Sequence, residues 1–237
     1  MLHLDGRQTP VPRQRDGQTT KAPRESNLYF QAFHRYNRDV KPVRRPKKSP
    51  PARAPIAISI LAGGLSTRMG RDKAKLRLGR RTMLGQVRAV AGELGWPVRI
   101  IRQDLVTRCG PLGGIYTALK TSRADAELFL ACDMPFVSAA LLREISAKLD
   151  PARLAAFAVV DGTAGFPFVI RKEALPVVEQ QMAQGNFSLQ KLAAALNARR
   201  VRIPKLRQWE VKNINTPEDW RDVLKVHRAG RSAERTD

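Results

Sequence analysis

The chain has 237 residues, with 43 Lys and Arg against 21 Asp and Glu and a formal net charge of +22. This length suffices for one or two domains with a buried core. The composition excludes collagen-like, coiled-coil and disulfide-scaffold proteins, and no run of ~18 apolar residues predicts a transmembrane helix. The excess positive charge indicates an anionic partner, with nucleic acid and a membrane surface as the first candidates.

The two ends of the chain differ in composition from the middle. Residues 1–55 hold eight of the sixteen prolines and thirteen Lys and Arg against four Asp and Glu, a net charge of +9. We predict that they form a disordered, basic, Pro-rich extension, because so few apolar groups cannot offset the entropy of ordering the chain. Residues 56–226, with a net charge of +12, form a single predicted domain, and residues 227–237 a predicted disordered tail.

Apolar strands and amphipathic helices alternate along the predicted domain. The predicted strands cover 56–62, 98–102, 127–131, 154–160, 166–170, 201–203 and 210–212. The predicted helices cover 83–94, 112–121, 138–149, 173–183 and 188–197, and a last helix begins at Pro217 after a Thr216 cap. This alternation predicts an α/β fold with a mostly parallel sheet flanked by helices, the strands 154–160 and 166–170 pairing antiparallel. Ligands of such sheets bind beyond the carboxyl ends of the strands.

The segment that follows the first predicted strand, LAGGLSTRMGRDK, combines glycines with cations. Gly63 and Gly64 allow a ligand to approach the backbone closely, and successive N–H groups in such a loop bind anions. Arg68 and Lys73 add two positive charges, which suits a triphosphate. The spacing matches neither a P-loop nor a dinucleotide-binding fingerprint. A plain turn with incidental surface charges fits these residue types equally well.

Two further strand ends carry polar residues or glycines. Asp104 precedes the sequence GPLGG at residues 110–114, where glycines at the start of a helix bring the backbone close to a base or a ribose. Asn213 and Asn215 alternate, so both side chains point to one side of an extended segment. A tight turn under the helix and a cap before the last helix are the structural alternatives.

Another strand end carries an acidic residue, because Asp133 comes directly after the predicted strand 127–131. A carboxylate at this position can hold Mg²⁺ against phosphate groups. The structural alternative, capping of the next helix, fits Ser138 better. We therefore favour a metal-binding role for Asp133.

Taken in order, LAGGLSTRMGRDK, GPLGG, CDMP and NINTPED resemble the motifs of the molybdenum cofactor guanylyltransferases. These MobA-like nucleotidyltransferases have a single-domain Rossmann-like sheet of the GT-A type, and the resemblance covers about residues 56–226. It implies Mg²⁺-dependent transfer of GMP from GTP to the phosphate of molybdopterin or its molybdenum-loaded form, with release of pyrophosphate. LAGG rather than LAAG favours the guanylyl branch over the cytidylyl branch.

The resemblance also implies two overlapping sets of site residues. The implied nucleotide-binding residues are Leu61, Ala62, Gly63, Gly64, Lys73, Asp104, Gly110, Asn213 and Asn215. The implied catalytic residues are Arg68, Lys73 and Asp133, of which Asp133 is the implied Mg²⁺ ligand.

The family's properties further imply a cytoplasmic monomer or small homo-oligomer without a membrane or nucleic-acid partner, which passes its product to molybdoenzyme chaperones. The chain departs from the family pattern in one region. The family usually has a strand, a loop that often holds an Asn near the base, and then the Asp, whereas only residues 96–109 fill this interval here.

Three alternatives remain open at the level of sequence. One is a related nucleotidyltransferase that uses CTP or another nucleotide with a different phosphorylated acceptor. The others are a basic protein that binds nucleic acid and a scaffold without catalytic activity.

Overall fold

The computed structural model describes residues 55–63, 73–106 and 108–233, with the backbone alone at residue 73 and at 226–233. Its strands are β1 (Ile56–Leu61), β2 (Arg77–Leu78), β3 (Arg81–Thr82), β4 (Val98–Ile101), β5 (Ala126–Ala131), β6 (Ala155–Val160), β7 (Thr163–Arg171) and β8 (Arg199–Arg202). Six of them form one sheet in the order β4-β1-β5-β7-β6-β8, and β2 and β3 form a separate hairpin.

The directions of the strands place most carboxyl ends at one edge of the sheet. Strand β1 runs parallel to β4 and β5, and β6 runs parallel to β8. Only β7 is antiparallel to its neighbours β5 and β6. The predicted mostly parallel sheet and the predicted antiparallel pair are thus confirmed. The ends of β4, β1 and β5 lie side by side, as a ligand site of this fold requires.

Helices cover both faces of the sheet. They are α1 (Met83–Gly92), α2 (Pro111–Thr121), α3 (Ala139–Ala147), α4 (Leu175–Ala183), α5 (Leu189–Ala195) and α6 (Pro217–Ala233), with short 3₁₀ helices at Lys73–Lys75, Lys172–Ala174 and Lys205–Val211. The hydroxyl of Thr82 accepts a hydrogen bond from the N–H of Gly85 and so caps α1. Within the described residues, no helix combines the length and apolar character needed to cross a membrane.

The period-2 alternation of the buried strands divides the core between the two faces. On one face Ile58 and Leu128 belong to a cluster that α1 and α3 cover. On the other face Phe168 stacks on Phe157 and Phe129, with ring centroids 4.4 and 5.0 Å apart. Strands buried on both faces are rigid, so the loops at their carboxyl ends start from fixed positions.

One predicted element is wrong, and several boundaries differ by one to three residues, as where β7 begins at Thr163 rather than at 166. Residues 210–212, predicted as a strand, lie at the end of the 3₁₀ helix Lys205–Val211 and just after it, where the Arg207 guanidinium pairs with Glu210 one turn later. Helix α6 extends from Pro217 to Ala233. The predicted extension 1–55, apart from Pro55, lies outside the described residues.

Candidate active site

The end of β1 is held between its two neighbouring strands. The N–H of Ala62 donates to the carbonyl of Ile101 at 2.8 Å, and the N–H of Cys132 donates to the carbonyl of Leu61 at 3.1 Å. A Cβ atom at Gly63 would lie 3.1 Å from the carbonyl oxygen of Arg102. The backbone at 61–63 therefore lies close to the end of the neighbouring strand.

The residues that follow Gly63 contain several of the predicted phosphate contacts. Gly64 and Arg68 lie outside the described residues. Lys73 begins the 3₁₀ helix Lys73–Lys75, and its backbone alone is described. The roles implied for these three residues therefore stay predictions.

The carboxylate of Asp104 lies between this loop and the first turn of α2. A Cβ atom at Gly113 would lie only 2.6 Å from Asp104 Oδ2, and one at Gly114 would lie 3.4 Å from Asp104 Oδ1. At Gly63 the corresponding distance to Asp104 Oδ1 is 3.8 Å. Because Gly113 and Gly114 of the GPLGG sequence have no side chains, they leave the space that the Asp104 carboxylate occupies. We call Gly63, Asp104, Gly113 and Gly114 the glycine cradle.

Burial raises the pKa of the Asp104 carboxyl above its ordinary value. The loop that carries it is fixed to α2, because the N–H of Leu105 donates to the Thr117 hydroxyl at 2.8 Å and that hydroxyl donates to the carbonyl of Gly113 at 2.8 Å. A partly desolvated carboxylate on a fixed loop is a good acceptor for ribose hydroxyls or for the N–H groups of a base.

Three residues near the cradle, namely Leu105, Val106 and Phe187, were not singled out by the sequence analysis. Leu105 and Val106 are 59% and 40% exposed, although apolar. Gly110 has a φ of 53°, and a Cβ atom there would lie 3.6 Å from the Cβ of Phe187, which comes from the loop between α4 and α5. A polar motif drew attention to Asp104, whereas isolated apolar residues give no comparable signal in a sequence.

Asp133 is the second residue after β5, in the turn that follows the strand, and its main chain is tied to the asparagine segment. The N–H of Ile214 donates to the carbonyl oxygen of Asp133 at 2.9 Å. Ile214 is fully buried, while Asn213 is half-buried and Asn215 exposed. This alternation agrees with the predicted extended segment, and it brings Asn213 and Asn215 beside the turn that holds Asp133.

Other side chains cap the helices that follow Asp133 and the asparagine segment. The hydroxyl of Ser138 accepts from the N–H of Leu141 at 3.1 Å and caps α3. The Thr216 hydroxyl accepts from the N–H of Asp219 at 3.1 Å, and the Asp219 carboxylate accepts from the N–H groups of Asn215 and Thr216 at 3.0 Å each. This reciprocal pair is a capping box at the start of α6. Helix capping therefore does not account for Asp133 or for the Asn213 side chain.

The two halves of the site share one edge of the sheet. Strands β1 and β5 are adjacent, and the hydrogen bond from Cys132 to Leu61 joins the end of β1, two residues before Gly63 of the glycine cradle, to the Asp133 turn. The structure brings together Leu61, Ala62, Gly63 and Asp104 on one side and Asp133, Asn213 and Asn215 on the other. Such an edge can hold a nucleotide at the cradle and its phosphates near Asp133.

Comparison with known proteins agrees with this architecture. The family model described as a MobA-like NTP transferase domain matches residues 58–201. The chain is 33% identical over 186 residues to the "Probable molybdenum cofactor guanylyltransferase" of Opitutus terrae, covering 69% of this chain and 92% of that protein. It is also 33% identical over 181 residues to the molybdenum cofactor guanylyltransferase of Xanthomonas euvesicatoria pv. vesicatoria, covering 70% and 92% respectively.

A solved structure supports the fold independently. Molybdopterin-guanine dinucleotide biosynthesis protein A from Archaeoglobus fulgidus is similar with a TM-score of 0.58 at 21% identity, covering 74% of this chain and 99% of that chain. The family match extends from β1 to β8, the sheet that supports the site. This chain therefore belongs to the MobA-like NTP transferase family and is a nucleotidyltransferase.

Proposed function

We propose that the chain transfers GMP from GTP to the phosphate of molybdopterin, or of its molybdenum-loaded form, and releases pyrophosphate. The observation that supports this most directly is the hydrogen bond from Ile214 to Asp133, which joins the asparagine segment to the acidic turn beside the glycine cradle. The relatives at 33% identity carry the name of this activity.

The proposed reaction needs no general base. An oxygen of the acceptor phosphate, already anionic, attacks the α-phosphorus of GTP and forms the new P–O bond. The bond from the α-phosphorus to the bridging oxygen breaks, and pyrophosphate leaves with that electron pair. The protein contributes position and charge neutralisation.

The residues of the chain have separate parts in this proposal. The backbone of 61–63 and the carboxylate of Asp104 hold the nucleoside, and Asn213 and Asn215 orient the reacting phosphates. Lys73 and Arg68, whose side chains lie outside the described part of the chain, bind the triphosphate and stabilise the charge that develops on the leaving group.

The donor set fits Mg²⁺. Among the described residues no group of three or more His, Cys, Asp or Glu could enclose a metal ion, and Asp133 is the acidic residue at the end of β5. Mg²⁺ is commonly bound by one or two carboxylates together with substrate phosphates and water rather than by an all-protein cage. When bound, Mg²⁺ would neutralise charge on the phosphates, and Asp133 would hold it, with the Asn213 and Asn215 amides nearby.

Base recognition in this proposal falls to the end of β4. The chain passes from β4 to α2 through residues 102–110, which leave no room for the longer family segment with its Asn, so we assign base recognition to Asp104. Guanine presents two N–H donors on one edge, and the partly buried Asp104 carboxylate can accept from both.

The proposal also covers a cytoplasmic location, a monomer or small homo-oligomer, and transfer of the product to molybdoenzyme chaperones.

The proposal is tested with the purified full chain and each of GTP, CTP and ATP. Thermal stabilisation by each nucleotide with Mg²⁺ and pyrophosphate release on addition of molybdopterin are measured. We expect both only with GTP and Mg²⁺. Preference for CTP would overturn the choice of base, and absence of acceptor-dependent pyrophosphate with every nucleotide would overturn the proposed reaction.

A further inference from the structure

A buried carboxylate outside the predicted site links the asparagine segment to α3. Glu210 lies in the 3₁₀ helix Lys205–Val211 and is 4% exposed. Its Oε1 accepts from Arg207 Nε at 2.6 Å, and its Oε2 accepts from the hydroxyl of Ser138. Arg207 Nη1 also donates to Glu144 Oε2 at 2.7 Å. We call Ser138, Glu144, Arg207 and Glu210 the anchor network.

The anchor network ties together the two segments that meet at the proposed metal site. Ser138 is the cap of α3, the helix that follows the Asp133 turn, and Glu210 stands three positions before Asn213. The rings of Phe136 and Trp209 meet edge to face with centroids 6.3 Å apart, which adds a second contact between the same segments. The hydrogen bond from Ile214 to Asp133 then closes the connection.

The energetics of such a network favour a role in geometry. Removing a carboxylate from water is costly, and a buried ion pair seldom stabilises a fold more than apolar residues of similar volume would. Glu210 also lies in a 3₁₀ helix where the sequence predicts a strand. The network holds the chain in one arrangement just before the asparagines.

We infer that Glu210 is a positioning residue, which fixes Asn213 and Asn215 relative to Asp133 and thereby sets how the metal and the nucleotide phosphates are bound. This inference rests on the proposed function of the Asp133 edge. It assigns Glu210 no contact with substrate. Its loss should therefore change metal binding more than nucleoside binding.

The fold provides a matched control in a second buried carboxylate. Glu127 is 1% exposed, accepts from the Ser59 hydroxyl at 2.7 Å and pairs with Arg99 at 2.9 Å, so it has the same partner types as Glu210. It lies near the start of β5, about 13 Å along the strand from Ala131, where the strand ends before the Asp133 turn. A purely structural effect of losing a buried carboxylate should appear equally in both variants.

The experiment compares Glu210→Gln and Glu127→Gln in the full chain. Mg²⁺ affinity is titrated calorimetrically in the presence of α,β-methylene-GTP, whose α,β bond cannot be cleaved, and thermal unfolding, KM for GTP and kcat are measured alongside. We expect similar losses of thermal stability in both variants. Only Glu210→Gln should weaken Mg²⁺ binding and lower kcat, each by about tenfold, with KM for GTP within about twofold. If Glu210→Gln does not fold, Arg207→Lys replaces it. This substitution keeps the positive charge but loses the guanidinium that binds Glu144 and Glu210 together.

Equal Mg²⁺ affinity in the two variants, or equal weakening in both, would overturn the inference and leave the proposed function intact. A wild-type chain that binds α,β-methylene-GTP without any dependence on Mg²⁺ would instead refute the metal site itself, and with it this inference.

Discussion

The backbone N–H of Ile214 donates a hydrogen bond of 2.9 Å to the carbonyl oxygen of Asp133. It joins the turn after β5 to the segment before α6, two motifs that are far apart in the chain. The main chain of Asp133 makes this contact, so a substitution that changes only its carboxylate leaves the hydrogen bond in place. Asn213 and Asn215, on either side of the buried Ile214, are consequently held at the same edge of the sheet.

The separation of main-chain and side-chain roles makes Asp133→Asn an informative variant. The substitution keeps the carbonyl and the approximate shape, so the variant should fold with a circular dichroism spectrum like the wild type. Loss of the charge that would hold Mg²⁺ should lower pyrophosphate release on the order of 10²-fold or more. The metal assignment fails if the variant keeps near-normal Mg²⁺-dependent turnover.

The glycine cradle predicts a steric effect at Gly113. In Gly113→Ala the new methyl group would lie 2.6 Å from Asp104 Oδ2 and 2.9 Å from the carbonyl oxygen of Val106, so the loop at 104–106 must move. We expect a loss of about 1–3 kcal/mol in the free energy of unfolding, measured in urea, and a weaker thermal shift with GTP.

A second helical glycine supplies the control for that variant. Gly92 ends α1, and a Cβ atom there would meet nothing within 4 Å. Gly92→Ala should be neutral or stabilising by up to about 1 kcal/mol, because alanine has the higher helix propensity, and GTP binding should be unchanged. Similar behaviour of the two alanine variants would show that the close approach of Asp104 to Gly113 has no consequence.

Much of the fold follows from local pattern. The apolar strand segments, the Ser138 and Thr216 caps and the antiparallel pair were all predictable, because period-2 burial and helix capping depend on residues close in sequence. The strand predicted at 210–212 was wrong for the opposite reason. Glu210 in this segment is bound to Ser138, 72 residues away in the chain, and such a contact leaves no local signal in the sequence.

The features of the site likewise divide into those that the sequence predicts and those that depend on distant contacts. Glycines and acidic residues at strand ends made Asp104 and Asp133 candidates from the sequence, since chemistry limits which residue types can serve there. The fit of the Asp104 carboxylate against Gly113 and the bond from Ile214 to Asp133 could not be predicted. Both depend on the relative placement of strands and loops, which only the packed sheet fixes.

The raised pKa of Asp104 predicts an unusual pH dependence. Burial disfavours the ionised carboxyl, so the stability linked to this group is present below the unfolded pKa of 3.8 and is lost as pH rises through the higher folded pKa. Asp104→Asn should remove this loss, so that the variant is more stable than the wild type at pH 7 and binds GTP more weakly. Urea denaturation from pH 4 to pH 7 measures the effect, and parallel stability curves for the two proteins would contradict it.

The capping box of α6 predicts the opposite pH dependence. Burial acts to raise the pKa of Asp219, but hydrogen bonds from the N–H groups of Asn215 and Thr216 and from the Thr216 hydroxyl, together with the charge of Lys212, lower it overall. The stability from this depressed pKa is present above the unfolded value of 3.8 and is lost as pH falls through the folded pKa. Asp219→Ala should therefore cost about 1 kcal/mol at pH 7 and progressively less in acid.

This last substitution also reaches the site, because Asp219 holds the backbone of Asn215 at 3.0 Å. We expect turnover to fall with it. Glu218→Ala, on the same turn and in an exposed ion pair with Arg221, is the control and should change stability by no more than about 0.5 kcal/mol. If Asp219→Ala and Glu218→Ala lower turnover and stability alike, the contacts of Asp219 with Asn215 and Thr216 do not order the asparagine segment.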